Sequence, residues 1–109
     1  MDAKTDRSDI RVEDEFARDD KALRLRASGK SFVAVAKALG YGRAHQANDA
    51  FNRALRRKPL GERESLRREE LARLDTMAEG VRESQQLGPD DVIRRLRTVE
   101  RLRVMLLAE

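Results

Sequence analysis

The stretch RASGKSFVAVAKALGYGRAHQANDAFNRALRRK, Arg26 to Lys58, holds most of the side chains in this sequence that could do chemistry. Gly29-Lys30-Ser31 matches the end of the phosphate-cradling signature G-x-x-x-x-G-K-[ST], in which a glycine-rich turn after a strand surrounds phosphates with backbone N–H groups. Neither requirement of that loop is met. Its first glycine would fall at position 24, which is Arg24, and the preceding DKALRLRAS consists of helix formers rather than β-branched residues. The same three residues read better as a helix end followed by a helix start, with Gly29 closing one helix and the Ser31 hydroxyl capping the next. A helix start also presents free backbone N–H groups to a phosphate.

Further along, nitrogen-bearing side chains recur with helical spacing. Ala47, Ala50, Phe51, Ala54 and Leu55 fall at i, i+3, i+4, i+7 and i+8 and form an apolar stripe, and opposite it lie Gly42, His45, Gln46, Asp49, Asn52, Arg53 and Arg56. Amide and guanidinium groups can pair bidentately with adenine and guanine edges, and the early residues of a recognition helix reach deepest into a groove. Arg43, His45, Gln46 and Asp49 are therefore the expected base readers, with Asn52 and Arg53 next. Lys30, Ser31, Arg56, Arg57 and Lys58 are the expected phosphate contacts. Plainer roles stay open for several of them: Asp49 and Arg53 have the i, i+4 spacing of a surface ion pair, and Arg56 to Lys58 could simply offset a helix C-terminal dipole. His45, the only histidine, has no cysteine or second histidine nearby, so it is not expected to bind metal.

Charge segregates along the chain. Net charge is −4 over residues 1–20, +9 over 21–58 and −1 over 59–109, and the central excess is the footprint of a polyanion-binding surface or of a merely solvated basic face. Charged residues make up 40% of the 109 and aromatics 4%, too few for a large self-contained core, so association with a partner chain is expected. The absence of cysteine fits a reducing cytoplasm. No apolar run approaches the roughly 20 residues that span a bilayer, so no membrane contact is expected. The acidic amino terminus has the wrong sign for a signal peptide.

The elements that must position these residues read as all-α. Residues 1–12 are expected to form a disordered arm, 13–58 a three-helix unit with a helix-turn-helix, and 59–109 a two-helix hairpin used for oligomerisation. The first helix runs from near Glu13 to Gly29 with a weak stripe of Phe16, Leu23 and Ala27. The second spans Phe32 to Leu39, with Phe32, Val35, Ala36 and Leu39 on one face, and stops at Gly40. The third runs from about Arg43 to Arg57, before Pro59 and Gly61 break the pattern. Leu39 and Phe51 are expected to fill the wedge between the second and third.

In the second half, a helix from Glu62 to about Gln86 carries Leu71, Leu74, Ala78 and Val81 at coiled-coil spacing. Gly88-Pro89-Asp90 stops it and starts the next, which runs to about Leu107 with Val92, Ile93, Leu96, Val99, Leu102 and Leu106 on one broad face. Those ten residues are the expected oligomerisation surface. The competing arrangement is a hairpin that folds back to complete a monomeric bundle.

On KALRLRASGKSFVAVAKALGYGRAHQANDAFNRALRR, and more loosely on ELARLDTM and IRRLRTVERLRVMLL, the chain resembles the small terminase subunits of tailed bacteriophages and related prophage-encoded helix-turn-helix proteins. The helix-turn-helix of serine recombinases looks similar too. The resemblance implies a protein of the bacterial host cytoplasm that binds the packaging start site on viral double-stranded DNA. It further implies a ring formed through a helical hairpin, which hands DNA to a large ATPase and nuclease subunit. Recognition would then fall on Arg43 to Arg57 and ring formation on Leu71 to Val81 with Val92 to Leu106. Val33 and Ala34 depart from the pattern, standing where charged residues would be ordinary.

The expected function is thus a non-enzymatic, sequence-selective DNA-binding adaptor in viral genome packaging, without cofactor or metal. No activated nucleophile or paired acid–base set occurs at readable spacing. Two other classes compete: a dimeric helix-turn-helix transcriptional regulator, and a helical assembly module whose basic stretch meets an acidic protein rather than DNA.

Overall fold

The computed structural model describes the backbone of residues 3–108 and the side chains of 13–108, and within that span the chain is all-α. Five helices follow in order: α1 (Ala3–Ala27), α2 (Phe32–Leu39), α3 (Ala44–Arg56), α4 (Leu60–Glu83) and α5 (Pro89–Leu107). They form two compact units, 1–58 and 59–109. No helix of the described residues is long and apolar enough to cross a membrane. The arm expected over 1–12 lies outside the residues whose side chains are described; the backbone of 3–12 continues α1, which begins before Glu13.

Local chemistry accounts for the ends of these helices. The Gly29 N–H donates to Arg26 O at 2.9 Å and the Lys30 N–H to Leu25 O at 3.2 Å, the paired bonds of a Schellman stop. Gly29 takes φ 106°, where a side chain would be strained. Two residues on, the Ala34 N–H donates to Ser31 Oγ at 3.1 Å, so Ser31 is the N-cap of α2. Gly40 ends α2 at φ 76°, and the Tyr41 N–H donates to Ala36 O at 2.9 Å. Gln46 Oε1 accepts the Arg43 N–H at 3.0 Å and caps α3 from within its first turn. Pro89 opens α5 ahead of Asp90 and Asp91, as suits the positive end of a helix dipole.

In the first unit α3 packs against both α1 and α2. Its core is Ala22 and Leu23 from α1, Phe32, Val35 and Ala36 from α2, and Ala47, Ala50, Phe51, Ala54 and Leu55 from α3. Phe32 and Phe51 meet edge to face, ring centroids 5.8 Å apart. Leu39 is only half-buried, so the wedge between α2 and α3 is filled by the Phe32–Phe51 pair rather than by Leu39 with Phe51. The alanines of α3 let neighbouring helices approach closely, which is how so few large side chains close a core.

The stripe on α1 differs from the expected one. Phe16 is 47% exposed, and the buried positions are Asp19, Ala22, Leu23 and Arg26, spaced i, i+3, i+4 and i+7. A charged residue stands at each end of that row. Hydrophobicity alone cannot find it, because both charges are buried through specific partners: Asp19 with arginines of and just beyond α3, Arg26 through Lys30 O at 3.2 Å and the Phe32 ring at 4.1 Å.

In the second unit α4 packs on α5. Leu74, Ala78, Val99 and Leu106 are buried between them, and Arg103 Nη2 donates to Asp75 Oδ1 across the pair at 2.7 Å. Two glycines give opposite expectations. Gly40→Ala places a side chain in the left-handed region and should cost about 1 kcal/mol or more. Gly80→Ala, inside α4 with nothing within 4 Å of an added Cβ, should stabilise by about 1 kcal/mol. Urea denaturation of the two variants checks the contrast.

Candidate nucleic-acid interface

The outer face of α3 follows from which of its positions the neighbours cover. Ala47, Asn48, Ala50, Phe51, Asn52, Ala54 and Leu55 are buried, leaving His45, Gln46, Arg53 and Arg56 exposed and Asp49 half-exposed along one side. Arg43 is exposed at the N-cap, and Lys30 and Ser31 are exposed at the start of α2; Lys58 is half-buried. Eight of the eleven side chains expected to meet DNA thus retain an accessible surface without a partner on another helix; Asn52 is buried, and Arg53 and Arg57 are accessible but held by Asp19.

Asn52 is 3% exposed rather than outward. Its amide donates from Nδ2 to Asn48 O at 3.1 Å and to Asn48 Oδ1 at 3.2 Å. The covered arc of α3 is wider than its apolar stripe, and the two asparagines extend it by satisfying each other one turn apart. Base reading by Asn52 is excluded by that burial.

Arg53 and Arg57 are engaged by α1. Arg53 donates from Nε to Asp19 Oδ2 and from Nη2 to Asp19 Oδ1, both at 3.0 Å, in the bidentate geometry that a planar guanidinium and a carboxylate share. Arg57 Nη1 donates to the same Asp19 Oδ2 at 3.3 Å, its Nη2 reaches Phe16 O at 3.4 Å, and its guanidinium lies 4.2 Å above the Phe16 ring. The Asp19 side chain is 4% exposed while that of Arg53 is 48% exposed, so the carboxylate is inside and the arginine spans the boundary. The expected i, i+4 alternative, Asp49 with Arg53, is not the pair formed. Its hydrogen bonds to the Asp19 carboxylate raise the Arg53 guanidinium above its ordinary value, against the opposing effect of burial.

Within the first unit, the cations left for a ligand, with no ion-pair, side-chain hydrogen-bond or ring partner among the described residues, are Lys21, Arg24, Lys30, Lys37, Arg43, Arg56 and Lys58. Three of these, Lys21, Arg24 and Lys37, were not among the expected contacts. Their signal was only the run of positive charge. Val33, at an exposed position of α2, is 55% accessible, while Ala34 is half-buried.

Behind this face, a small polar cavity is lined by Glu15, Phe16, Arg18, Asp19, Tyr41 and Arg53. The Arg18 guanidinium sits 3.9 Å from the Tyr41 ring centroid, and its Nε donates to Leu39 O at 3.1 Å. The Tyr41 hydroxyl is buried without a hydrogen-bond partner. Burial pushes this phenol above its ordinary value of 10.0, against the opposing pull of Arg18. The stabilisation linked to that shift is whole below the unfolded value and is lost as pH rises through the folded one.

The ten residues expected to join subunits are placed otherwise than an open seam requires. Leu74, Ala78, Val99 and Leu106 are buried, Leu71, Val81, Val92, Leu96 and Leu102 are half-buried, and only Ile93 is exposed. The stripes of α4 and α5 are turned largely toward each other.

Two substitutions test the internal chemistry. Asp19→Ala leaves two arginines without their shared carboxylate and should cost about 2–3 kcal/mol in denaturation experiments. Tyr41→Phe deletes an unsatisfied buried hydroxyl and should be neutral or stabilising by about 1 kcal/mol, and it should flatten the fall in stability above pH 10.0.

No protein-family model, no curated protein and no solved structure matches this chain.

Proposed function

We propose that the chain is a non-enzymatic adaptor that binds double-stranded DNA with sequence selectivity, using α2, the Gly40 turn and α3 as a helix-turn-helix. The observation that carries this reading is the side of α3 bearing His45, Gln46, Asp49 and Arg56, exposed and beside Arg43, with unpaired cations elsewhere in the same unit. A recognition helix needs one covered side that orients it and one polar side that fits a major groove. The first is supplied by the alanine and phenylalanine stripe against α1 and α2. Arg43, His45, Gln46 and Asp49 are the base readers of this proposal. The capping bond uses the Gln46 oxygen, which orients its side chain at the start of the helix. Lys30, Ser31, Arg56 and Lys58 are its phosphate contacts, joined by Lys21, Arg24 and Lys37.

Arg53 and Arg57 take a different part. Held by Asp19, they set the orientation of α3 against α1, and Arg53 adds charge at the edge of the face. The resemblance to small terminase subunits gives this DNA-binding unit a context: recognition of a packaging site and delivery to a large ATPase and nuclease subunit, by several copies of the chain acting together. Linked copies raise the effective concentration of each unit along repeated sites.

Titration of duplex DNA against the chain at several salt concentrations tests the reading. Affinity should fall steeply with salt, since each neutralised phosphate releases condensed counterions. A flat salt response would favour the assembly module over the DNA binder. Within a binding-competent chain, His45→Ala should cost about 1–3 kcal/mol at the preferred site and little on random sequence, whereas Arg56→Ala should weaken both alike and lower the salt slope by about 1.

A further inference from the structure

Close to the turn that joins them, α4 and α5 leave a groove between their facing sides. Met77, Gly80 and Val81 of α4, Leu87 of the turn, and Arg95 and Val99 of α5 contribute to its lining, and its volume is about 660 Å³. That size lies in the range of small-molecule sites. Two helices and their connection supply the walls, so every wall belongs to the second unit.

Gly80 is the unusual member. It stands inside α4, where glycine is the poorest helix former after proline. No left-handed backbone calls for it, since positive φ among the described glycines occurs at Gly29 and Gly40. Crowding does not call for it either: a Cβ added there would meet nothing within 4 Å. What the missing side chain does is leave the backbone of α4 bare toward the groove, where a ligand can lie against it.

The polar groups of the lining are unequal. Ser84 Oγ accepts the Gln86 N–H at 3.3 Å and Thr98 Oγ1 donates to Arg94 O at 3.1 Å, so both hydroxyls are engaged locally. Arg95 is exposed and is the one charged side chain among the described residues of the lining. It has no ion-pair or hydrogen-bond partner among the described residues. An apolar trough with a single unengaged guanidinium is complementary to a molecule with a hydrocarbon body and one anionic end.

We propose that this groove binds a small amphipathic anion, a carboxylate carried on an aliphatic chain. Its chain lies along Gly80 against Met77, Val81, Leu87 and Val99, and its head pairs with Arg95. Inorganic phosphate would leave the apolar walls uncovered, and a neutral hydrocarbon would leave the guanidinium unused. Met77, 42% exposed and unbranched, can follow chains of different shape. A ligand that touches both helices and the turn recognises the folded hairpin and not the unfolded chain, so it stabilises the second unit by mass action. The proposal depends neither on DNA binding by the first unit nor on association between copies.

Amide NMR of the isotope-labelled full chain, titrated with sodium octanoate and, as controls, with octanol and sodium acetate, is the test. Octanoate should shift the signals of Gly80, Val81, Leu87 and Val99 saturably and leave those of α2 and α3 in place, whereas acetate, lacking the chain, should shift none of them. Arg95→Gln should raise the octanoate Kd at least about fivefold, through loss of a charge-assisted bond, and change the octanol Kd little. Gly80→Leu fills the groove and should abolish binding of both, while circular dichroism shows a chain at least as helical as the native one, because leucine favours a helix over glycine. Four results would each overturn the proposal: no saturable shift with octanoate, shifts centred on the basic residues of the first unit, equal weakening of octanoate and octanol by Arg95→Gln, or native octanoate binding by Gly80→Leu.

Discussion

The Asp19 carboxylate organises the first unit. It is buried, it takes two parallel hydrogen bonds from Arg53 and a third from Arg57, and it thereby fixes α1 against α3 across 34 and 38 residues of sequence. A buried carboxylate is costly unless its lone pairs are satisfied, and two guanidinium groups satisfy them. Loss of either partner leaves charge behind in a place water reaches poorly. The contact therefore discriminates between orientations of α3 more sharply than alanine packing does, since alanines tolerate small slides and a bidentate pair does not. The same contact divides the arginines of this region into those that build the unit and those left for a partner, a division that net charge conceals.

Local signals made much of the fold legible. The bounds of α2, the Ser31 cap, the stops at Gly29 and Gly40, and the proline start of α5 each depend on a few consecutive residues, and each could be read from them. The apolar side of α3 was equally plain, because five residues repeat at helical spacing. The extent of burial around that helix was not. Periodicity gives an angle on a helix but not how far its neighbours wrap, and Asn52 lies at the margin, where the neighbours decide. The α1 stripe was hidden for a related reason: Asp19 and Arg26 count as surface residues in any hydrophobic pattern, and only partners distant in sequence make them interior.

Arg53 shows the limit most clearly. Its position on the outer side of α3 was correctly placed by the helical repeat, and a local acidic partner, Asp49, stood four residues away. The guanidinium instead reaches Asp19, because a carboxylate already shielded from water and open to both Nε and Nη2 binds it more strongly than a solvated one on the same helix. Sequence spacing cannot rank a near, wet partner against a distant, dry one. The consequence for the candidate interface is that the early part of α3, with Arg43, His45 and Gln46, is freer to adapt to a ligand than its later part.

Scarcity of apolar residues imposes the same logic on the second unit in another form. Two amphipathic helices can bury one stripe each by pairing, and α4 and α5 do so through Leu74, Ala78, Val99 and Leu106. Outside that stripe Met77, Ile93, Val104 and Leu107 remain exposed, set among charged residues. Whatever specificity the outer faces have must come from charge and spacing, which act weakly pair by pair and are screened by salt. A surface of that kind favours contacts that are individually reversible and collectively selective. It also separates folding from association: the exposed glutamates and arginines are not needed to hold α4 on α5, so their arrangement is free to be set by what each face meets.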